Sequence, residues 1–287
     1  MPRVGLTAKP HPKALAALVE AADWLTSRGA TVMIGTDEAG AVGVARFTTM
    51  SRESNATAVD VLVAFGGDGT LLAAANAVVQ SGADIPVLGV HLGHLGFLTE
   101  VRRPELTDAL AAVIEGRTWT ETRLLLEGRV EREGVVTDSR LALNDIVITR
   151  GRLSRMIELE VSVEGEHVCH VRADGLIVAT ATGSTAYNLS AGGPVMHPSV
   201  DAVLLTPIAP HTLTNRPIVL PASAHIVLRP TLEAPADVVA TFDGQYGAPL
   251  QIGDVVSIRR SERVLRLLRT TTRTHFEMLR EKLNWGG

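Results

Sequence analysis

The sequence predicts two parts of different class. An α/β N-terminal domain on a parallel sheet comes first, then an all-β, sandwich-like C-terminal domain, with the C-terminal tail returning to the first domain. Three observations carry this. Up to about residue 118, short runs that are apolar throughout alternate with stretches of helical period, the pattern of a Rossmann-like parallel sheet covered on both faces. From residue 119 the texture changes to short Val-, Ile-, Leu- and Thr-rich segments that alternate and are separated by turns. The last residues resume a helical period, and their leucines give them a docking face. The expected domains are 1–118 and 119–262, with 263–287 packing back on the first.

In chain order, Arg3–Ala8 reads as a strand, Pro10–Arg28 as an amphipathic helix closed by Gly29, and Thr31–Ile34 as a second strand. Segment 36–57 is polar and Gly/Ala-rich, a mobile loop or weak helix near the sheet's edge. Asp60–Phe65 and Pro86–Val90 are the third and fourth strands. Between them Leu71, Leu72, Ala75, Val78 and Val79 recur at helical spacing. Pro104–Glu115 is a further helix. The β-rich part opens with Leu124–Glu131, Leu141–Thr149, Ile157–Val163, His167–Arg172 and Leu176–Ala179, with turns such as Glu164-Gly165-Glu166 between them. Ala202–Leu205, His225–Leu228, Val238–Phe242, Val255–Arg259 and Val264–Leu268 continue the pattern, and His275–Trp285 is helical. No fixed-period repeat, low-complexity tract or polybasic run breaks it.

Composition narrows the function classes. The chain has 287 residues, 46% of them apolar and 20% charged, which marks a globular protein with a substantial core. A net charge of −4 gives no basic footprint for nucleic acid. One cysteine, Cys169, excludes an internal disulfide framework and fits a reducing compartment. The N-terminus lacks a basic-then-apolar signal and no apolar run reaches ~18 residues, so a soluble cytoplasmic protein with no membrane partner is expected.

Gly66-Gly67-Asp68-Gly69-Thr70 follows the apolar run Val61–Phe65 and precedes a helix. Glycines there turn the backbone sharply and bring N–H groups against an anion at the helix N-terminus. No Gly-Lys-Ser/Thr follows, so this is not a Walker A loop, and Leu72 stands where a Gly-x-Gly-x-x-Gly motif needs its third glycine. A phosphate cradle has no need of a negative charge, so Asp68 points to chemistry on the phosphate or a metal beside it. The plainer alternative is a tight turn in which Asp68 caps the helix.

A second cluster runs from Asp174-Gly175 to Thr182-Gly183-Ser184-Thr185-Ala186-Tyr187-Asn188-Leu189-Ser190-Ala191-Gly192-Gly193-Pro194. Hydroxyls among glycines suit ribose and phosphate, and Tyr187 can lie against a ring; the alternative is a Ser/Thr-rich capping loop. Asn144-Asp145 is disfavoured inside a strand, so either a bulge or a ligand explains it. Asp243-Gly244-Gln245 reads as a hairpin turn. In a regular strand His167 and Cys169 share one face and His170 the other, and no second Cys/His cluster exists, so zinc is not expected. His91 and His211 lie in loop-like stretches within reach of a ligand.

Together these motifs closely resemble the NAD kinase family, which transfers a phosphoryl group to the adenosine-ribose 2′-hydroxyl of NAD. The resemblance rests on Gly66–Thr70, Leu95-Gly96-Phe97-Leu98, Leu143-Asn144-Asp145, Asp174-Gly175, Thr182–Pro194, Pro210-His211 and Asp243–Gln245, in the family's order and spacing. The glycine loop alone is similar to loops of lipid kinases and phosphofructokinases; the long Thr182–Pro194 block is far more specific. The family's fold agrees with the reading above. The resemblance implies Asp68 as catalytic base, a phosphate-donor loop of Gly66, Gly67, Gly69 and Thr70, and Asp68 and Gly69 touching substrate. It places Phe97 near the adenine and Asn144 and Asp145 on NAD ribose and polar groups. Arg155, Arg172, Asp174, Thr182, Thr185, Ala186, Tyr187, Asn188, Leu189, Ser190 and Gln245 fall on further NAD-contacting positions. It also implies ATP or inorganic polyphosphate as donor, a divalent metal such as Mg²⁺ carried by that donor with no protein ligand assigned, and a homodimer or homotetramer in which a neighbour completes part of the NAD pocket. Three positions depart from the family: His91 where Asn is usual, Ala181 where Pro is usual, and Asp145 where Glu is more frequent. The competing readings are a lipid or sugar kinase sharing the glycine loop and a non-catalytic dinucleotide-binding redox sensor.

Overall fold

The computed structural model describes residues 1–42, 47–50, 58–93, 95–151, 156–211, 215–231, 238–270 and 273–284. The chain forms two compact units, Met1–Thr122 with Leu265–Gly287, and Arg123–Val264. In the first, β1 (Arg3–Ala8), β2 (Thr31–Gly35), β3 (Thr48–Met50), β4 (Val61–Gly66) and β5 (Val87–His91) lie parallel in the spatial order β3-β2-β1-β4-β5. Every residue of β4 and β5 is buried, because helices cover both faces. Helix α1 (Pro12–Ser27) buries Ala14, Ala17, Leu18, Ala21, Ala22 and Leu25 along one stripe and is followed by Gly29 at φ +82°. After α2 (Thr36–Val42), α3 (Asp68–Gln80) buries Leu71, Leu72, Ala74, Ala75, Val78 and Val79. Helix α4 (Leu106–Glu115) buries its own apolar stripe and stops at the left-handed Gly116.

The chain winds one way from β1 to β2 and β3, and the other way from β4 to β5. The strand order therefore reverses between β1 and β4, where open α/β sheets bind ligands at the carboxyl ends of their strands. The amide of Lys9 bonds the Phe65 carbonyl there at 2.9 Å, directly beside the glycine loop.

The second unit is an antiparallel sandwich. It receives β7 (Trp119–Arg132), whose first residues belong to the other unit, after the short β6 (Val101–Arg102) that pairs with β5. β7 forms a hairpin with β8 (Val135–Ala142). β9 (Asp145–Arg150), β12 (Gly175–Thr180), β13 (Ala202–Ile208), β14 (Ile218–Pro221), β16 (Val238–Phe242) and β17 (Tyr246–Leu250) make a six-stranded sheet in the order β14-β13-β12-β9-β16-β17. The opposing layer pairs β10 (Ile157–Val163), β11 (Glu166–Ala173), β15 (Ile226–Pro230) and the start of β18 (Val255–Arg269). Ile146, Ile148, Leu176, Val178, Leu205 and Phe242 from one layer meet Ile157, Leu159, Ile226, Leu228, Val256 and Ile258 from the other. Each such side chain contributes about 1.5–3 kcal/mol on burial. The far face of β9, β12 and β13 is buried too, as Val147, Ile177, Ala179 and Leu204 pack on Ala181 and Met196. α5 (Tyr187–Ser190) lies in this covering segment. β18 ends in the first unit, where Leu267 pairs with Val87, and α6 (His275–Leu283) is tied there by Glu281 to Arg102 at 2.6 Å.

Several sequence expectations change. The 36–57 stretch contains α2 and the edge strand β3, while residues 43–46 and 51–57 lie outside the described residues. Leu141–Thr149 is two strands broken at Leu143-Asn144, and Val255–Arg259 with Val264–Leu268 is one strand whose polar middle faces solvent. β14 and β17 are added at the two edges: β14 has no buried residue and is defined by pairing, while β17 buries only Ala248 and Leu250. A bulge in the β10–β11 pairing leaves Val168 without an opposite residue. It reverses the expected alternation: His167 and His170 come together, ring centroids 4.8 Å apart, and Cys169 no longer shares the His167 face. Trp285 lies outside the described residues.

Candidate active site

β4 delivers the chain to Gly67, the N-cap of α3, and Asp68 is the first helical residue. Asp68 does not cap its own helix, because the N-cap is Gly67, which has no side chain to bond the helix start. Its carboxylate reaches instead to the segment after β5. Oδ2 accepts the Phe97 amide at 2.7 Å, while Oδ1 accepts the Leu98 and Thr99 amides at 3.1 and 3.0 Å and the Thr99 hydroxyl at 3.1 Å. A Cβ on Gly96 would collide with Asp68 Oδ1, which explains the glycine in Leu95-Gly96-Phe97-Leu98. An ionised carboxylate offers about four lone-pair positions, two on each oxygen. Among the described residues three donors meet Oδ1 and one meets Oδ2, which leaves a position on Oδ2. By contrast, a Cβ on Gly67 or Gly69 would meet no protein atom within 4 Å, so open space lies beside both exposed glycines at the helix start.

His91, the last residue of β5, pairs in register with Gly66. Its Nδ1 bonds the Gly93 carbonyl at 3.0 Å, and burial pushes its pKa down, so the ring is neutral at pH 7. Phe97 is half-buried beneath the Lys282 ammonium, 5.9 Å from the ring centre.

In the second unit, Asn144, Asp145, Thr180, Thr182 and Asp243 meet at one end of the six-stranded sheet. Asp243 sits at φ +53° in the β16–β17 hairpin, so it is the turn residue that was expected. Its buried carboxylate also accepts the amides of Leu143, Asn144 and Asp145 at 2.9, 2.7 and 3.1 Å, and its own amide donates to the Asp145 carbonyl at 2.9 Å. The Asn144-Asp145 break is thus a capped turn. Burial, and secondly the Asp243 charge, push the Asp145 carboxyl up to about 7. Thr180 donates to the Leu143 carbonyl at 2.6 Å and accepts the Gly183 amide at 3.0 Å. A Cβ on Gly183 would strike the Asn144 backbone, so the two motifs need that glycine to pack together. Gln245 is exposed in the same hairpin.

The Thr182–Pro194 block is fastened from inside. Asn188 is fully buried; its amide donates to the Ser184 and Pro194 carbonyls at 3.0 and 3.1 Å, and its oxygen accepts the Thr206 hydroxyl at 2.7 Å. Ser184 donates to the Ala181 carbonyl at 2.7 Å and accepts the Met196 amide at 3.0 Å. Tyr187 and Ser190 are exposed, and Thr185, Ala186 and Leu189 half-buried, so the block keeps an accessible face.

Arg172 and Asp174 lie elsewhere. They precede β12, whereas Thr180 ends it, so about 17 Å of strand separates them from the Asn144 cluster at ~3.3 Å per residue. There Asp174 pairs with Arg150 at 3.1 Å, and the Arg172 carbonyl accepts the His211 amide at 3.0 Å. Arg155 lies outside the described residues. Thr99 and the amide-gathering role of Asp243 had no local signal, since their partners stand far away in the chain.

Comparison with known proteins supplies the context. The family description ATP-NAD kinase N-terminal domain matches residues 4–118, and ATP-NAD kinase C-terminal domain matches 143–270. The chain is 43% identical over 291 residues to an NAD kinase of Citrifermentans bemidjiense, covering 100% of this chain and 99% of that one. It is 44% identical over 287 residues to an NAD kinase of Syntrophotalea carbinolica, with the same coverage. Among solved structures, yeast NADH kinase complexed with NADH superposes at a TM-score of 0.91 with 29% identity, over 99% of this chain and 88% of that one. An NAD kinase from Archaeoglobus fulgidus in complex with ATP superposes at 0.74 with 25% identity, over 99% and 100%.

Proposed function

Because this chain belongs to the NAD kinase family, we propose that it moves the terminal phosphoryl group of ATP to the adenosine-ribose 2′-hydroxyl of NAD, giving NADP. The observation that carries the mechanism is the single acceptor position left on Asp68 Oδ2 at the start of α3. Phosphoryl transfer needs alignment and charge neutralisation more than covalent help. The exposed backbone of Gly67 and Gly69 suits donor phosphates at the helix N-terminus, with Gly66 and Thr70 shaping the turn. A magnesium ion would be carried by the phosphates of the donor, whose hard oxygens suit it, and its chemistry would be to neutralise their charge. An ordinary Asp, with a pKa of ~3.9, is far too weak a base to ionise an alcohol beforehand. Asp68 Oδ2 orients the hydroxyl and takes its proton late, as the new oxygen–phosphorus bond forms.

Asn144, Asp145, Thr182, Gln245 and the accessible face of Thr185–Ser190 would bind NAD. Arg172 and Asp174 stand at the far end of β12 from Asn144 and Thr182. That separation supports a homo-oligomer in which a second copy supplies them. Among the described residues no helix is long and apolar enough to cross a membrane. Together with the unpaired, half-buried Cys169, this supports a cytoplasmic enzyme. Neither the lipid or sugar kinase nor the non-catalytic sensor finds support among the relatives.

The test is NADP formation with ATP and with polyphosphate, each with and without Mg²⁺. Asp68→Asn should lower kcat by about 10²–10⁴-fold while NAD still binds. A folded Asp68→Asn enzyme with near-full turnover would remove Asp68 from the chemistry.

A further inference from the structure

We propose that Arg269, at the end of β18, is a positioning residue for Asp68, acting through the peptide between Leu98 and Thr99. The inference rests on the reading of Asp68 given above. The amides of Phe97–Thr99 fix the Asp68 carboxylate, so whatever fixes that segment sets the base. Arg269 donates from Nη1 to the Leu98 carbonyl at 3.3 Å. That oxygen belongs to the same planar peptide as the Thr99 N–H, which donates to Asp68 Oδ1 at 3.0 Å. A cation on one end of a peptide both orients it and polarises the N–H at the other end.

The rest of the guanidinium is spent on holding Arg269 in place. Nε and Nη2 engage Glu121 at 2.9 and 2.8 Å, and Nη1 also reaches Glu100 at 3.3 Å. Glu100 accepts the Thr270 amide at 2.7 Å, and the Glu100 carbonyl accepts Arg273 at 2.8 Å. Arg269 and Glu100 are 5% and 3% exposed, so both charges are desolvated. Such a cluster adds little stability over a well-packed apolar one of the same volume. What it does provide is fixed geometry, because a planar fork meets three partners at set angles and a lysine cannot.

The deciding experiment is steady-state kinetics of Arg269→Lys beside a control, Arg266→Ala, which removes an exposed ion pair to Asp84 on the same strand. Arg269→Lys should lower kcat by about tenfold or more, the scale of a displaced catalytic group, with both KM values held within about twofold. Arg266→Ala should behave as wild type. A folded Arg269→Lys with unchanged kcat, or with its loss confined to KM, overturns the inference. If Arg269→Lys does not fold, Arg273→Gln decides, with a kcat loss of about two- to thirtyfold at constant KM supporting it and none overturning it. Asp68→Asn keeps the two readings apart: if it is inactive while the arginine variants are normal, only the Arg269 role fails, and if it is active, the role of Asp68 fails first.

Discussion

Asp145 carries a large electrostatic consequence for a single residue. Its carboxyl is pushed up to about 7 because burial disfavours the charged form and, secondly, because the nearby Asp243 carboxylate, which accepts three amides, repels it. In the unfolded chain the same group titrates at ~3.9, so the folded state binds the extra proton between those values. The sign follows from linkage: stability from this group is full below pH ~4, is lost as pH rises from there through 7, and changes little above that. Asp145→Asn has no carboxyl to titrate, so it should flatten this slope, and its stability gain over the wild type should be larger at pH 8 than at pH 5 by roughly 2–3 kcal/mol, because about two of the roughly three units between the unfolded and folded values lie above pH 5. Thermal denaturation at the two pH values measures it, and an equal effect at both would contradict it.

The loop and helix from Thr182 to Pro194 separate fastening from contact within one element. Asn188 points inward and satisfies two carbonyls and a hydroxyl, whereas Tyr187 is 46% exposed. Asn188→Ala strands several buried polar groups at about 1–3 kcal/mol each, so the melting temperature should fall sharply. Tyr187→Ala should leave the melting temperature within a degree or two, as surface changes do, and raise the KM for NAD several-fold. Differential scanning calorimetry beside initial-rate kinetics distinguishes the two. The glycine-rich sequence announced the element, but nothing local says which of its side chains face inward, because their partners Thr206 and Met196 come later in the chain.

At the scale of the molecule, legibility followed the range of the interactions. The strands Arg3–Ala8, Ile157–Val163 and Val238–Phe242 stood out because burial on one or both faces is written directly into composition. β14 was missed because it has no buried face, and the break at Asn144 was ambiguous because Asp243, which stabilises it, lies 99 residues away. The placement of Asp174 relative to Asn144 could not be read at all, since it depends on the length and direction of β12. It leads to a molecular prediction. Asn144→Ala and Asp174→Ala chains, each inactive alone, should regain part of the activity when mixed and allowed to exchange subunits. If every pocket is built by one chain, the mixture stays inactive.

The return of the chain at β18 has a consequence in time. The contact between Leu98 and Arg269 spans 171 residues of sequence, all of the second unit included. At synthesis rates of about 5–20 residues per second, roughly ten to thirty seconds pass between the emergence of the two partners. A nascent chain can form the sheet around β1 and β4 early, yet the brace behind Asp68 waits for the final stretch of translation. Chains released before residue 269 lack the brace, so the ribosome delivers an Asp68 held from behind only on a nearly finished protein.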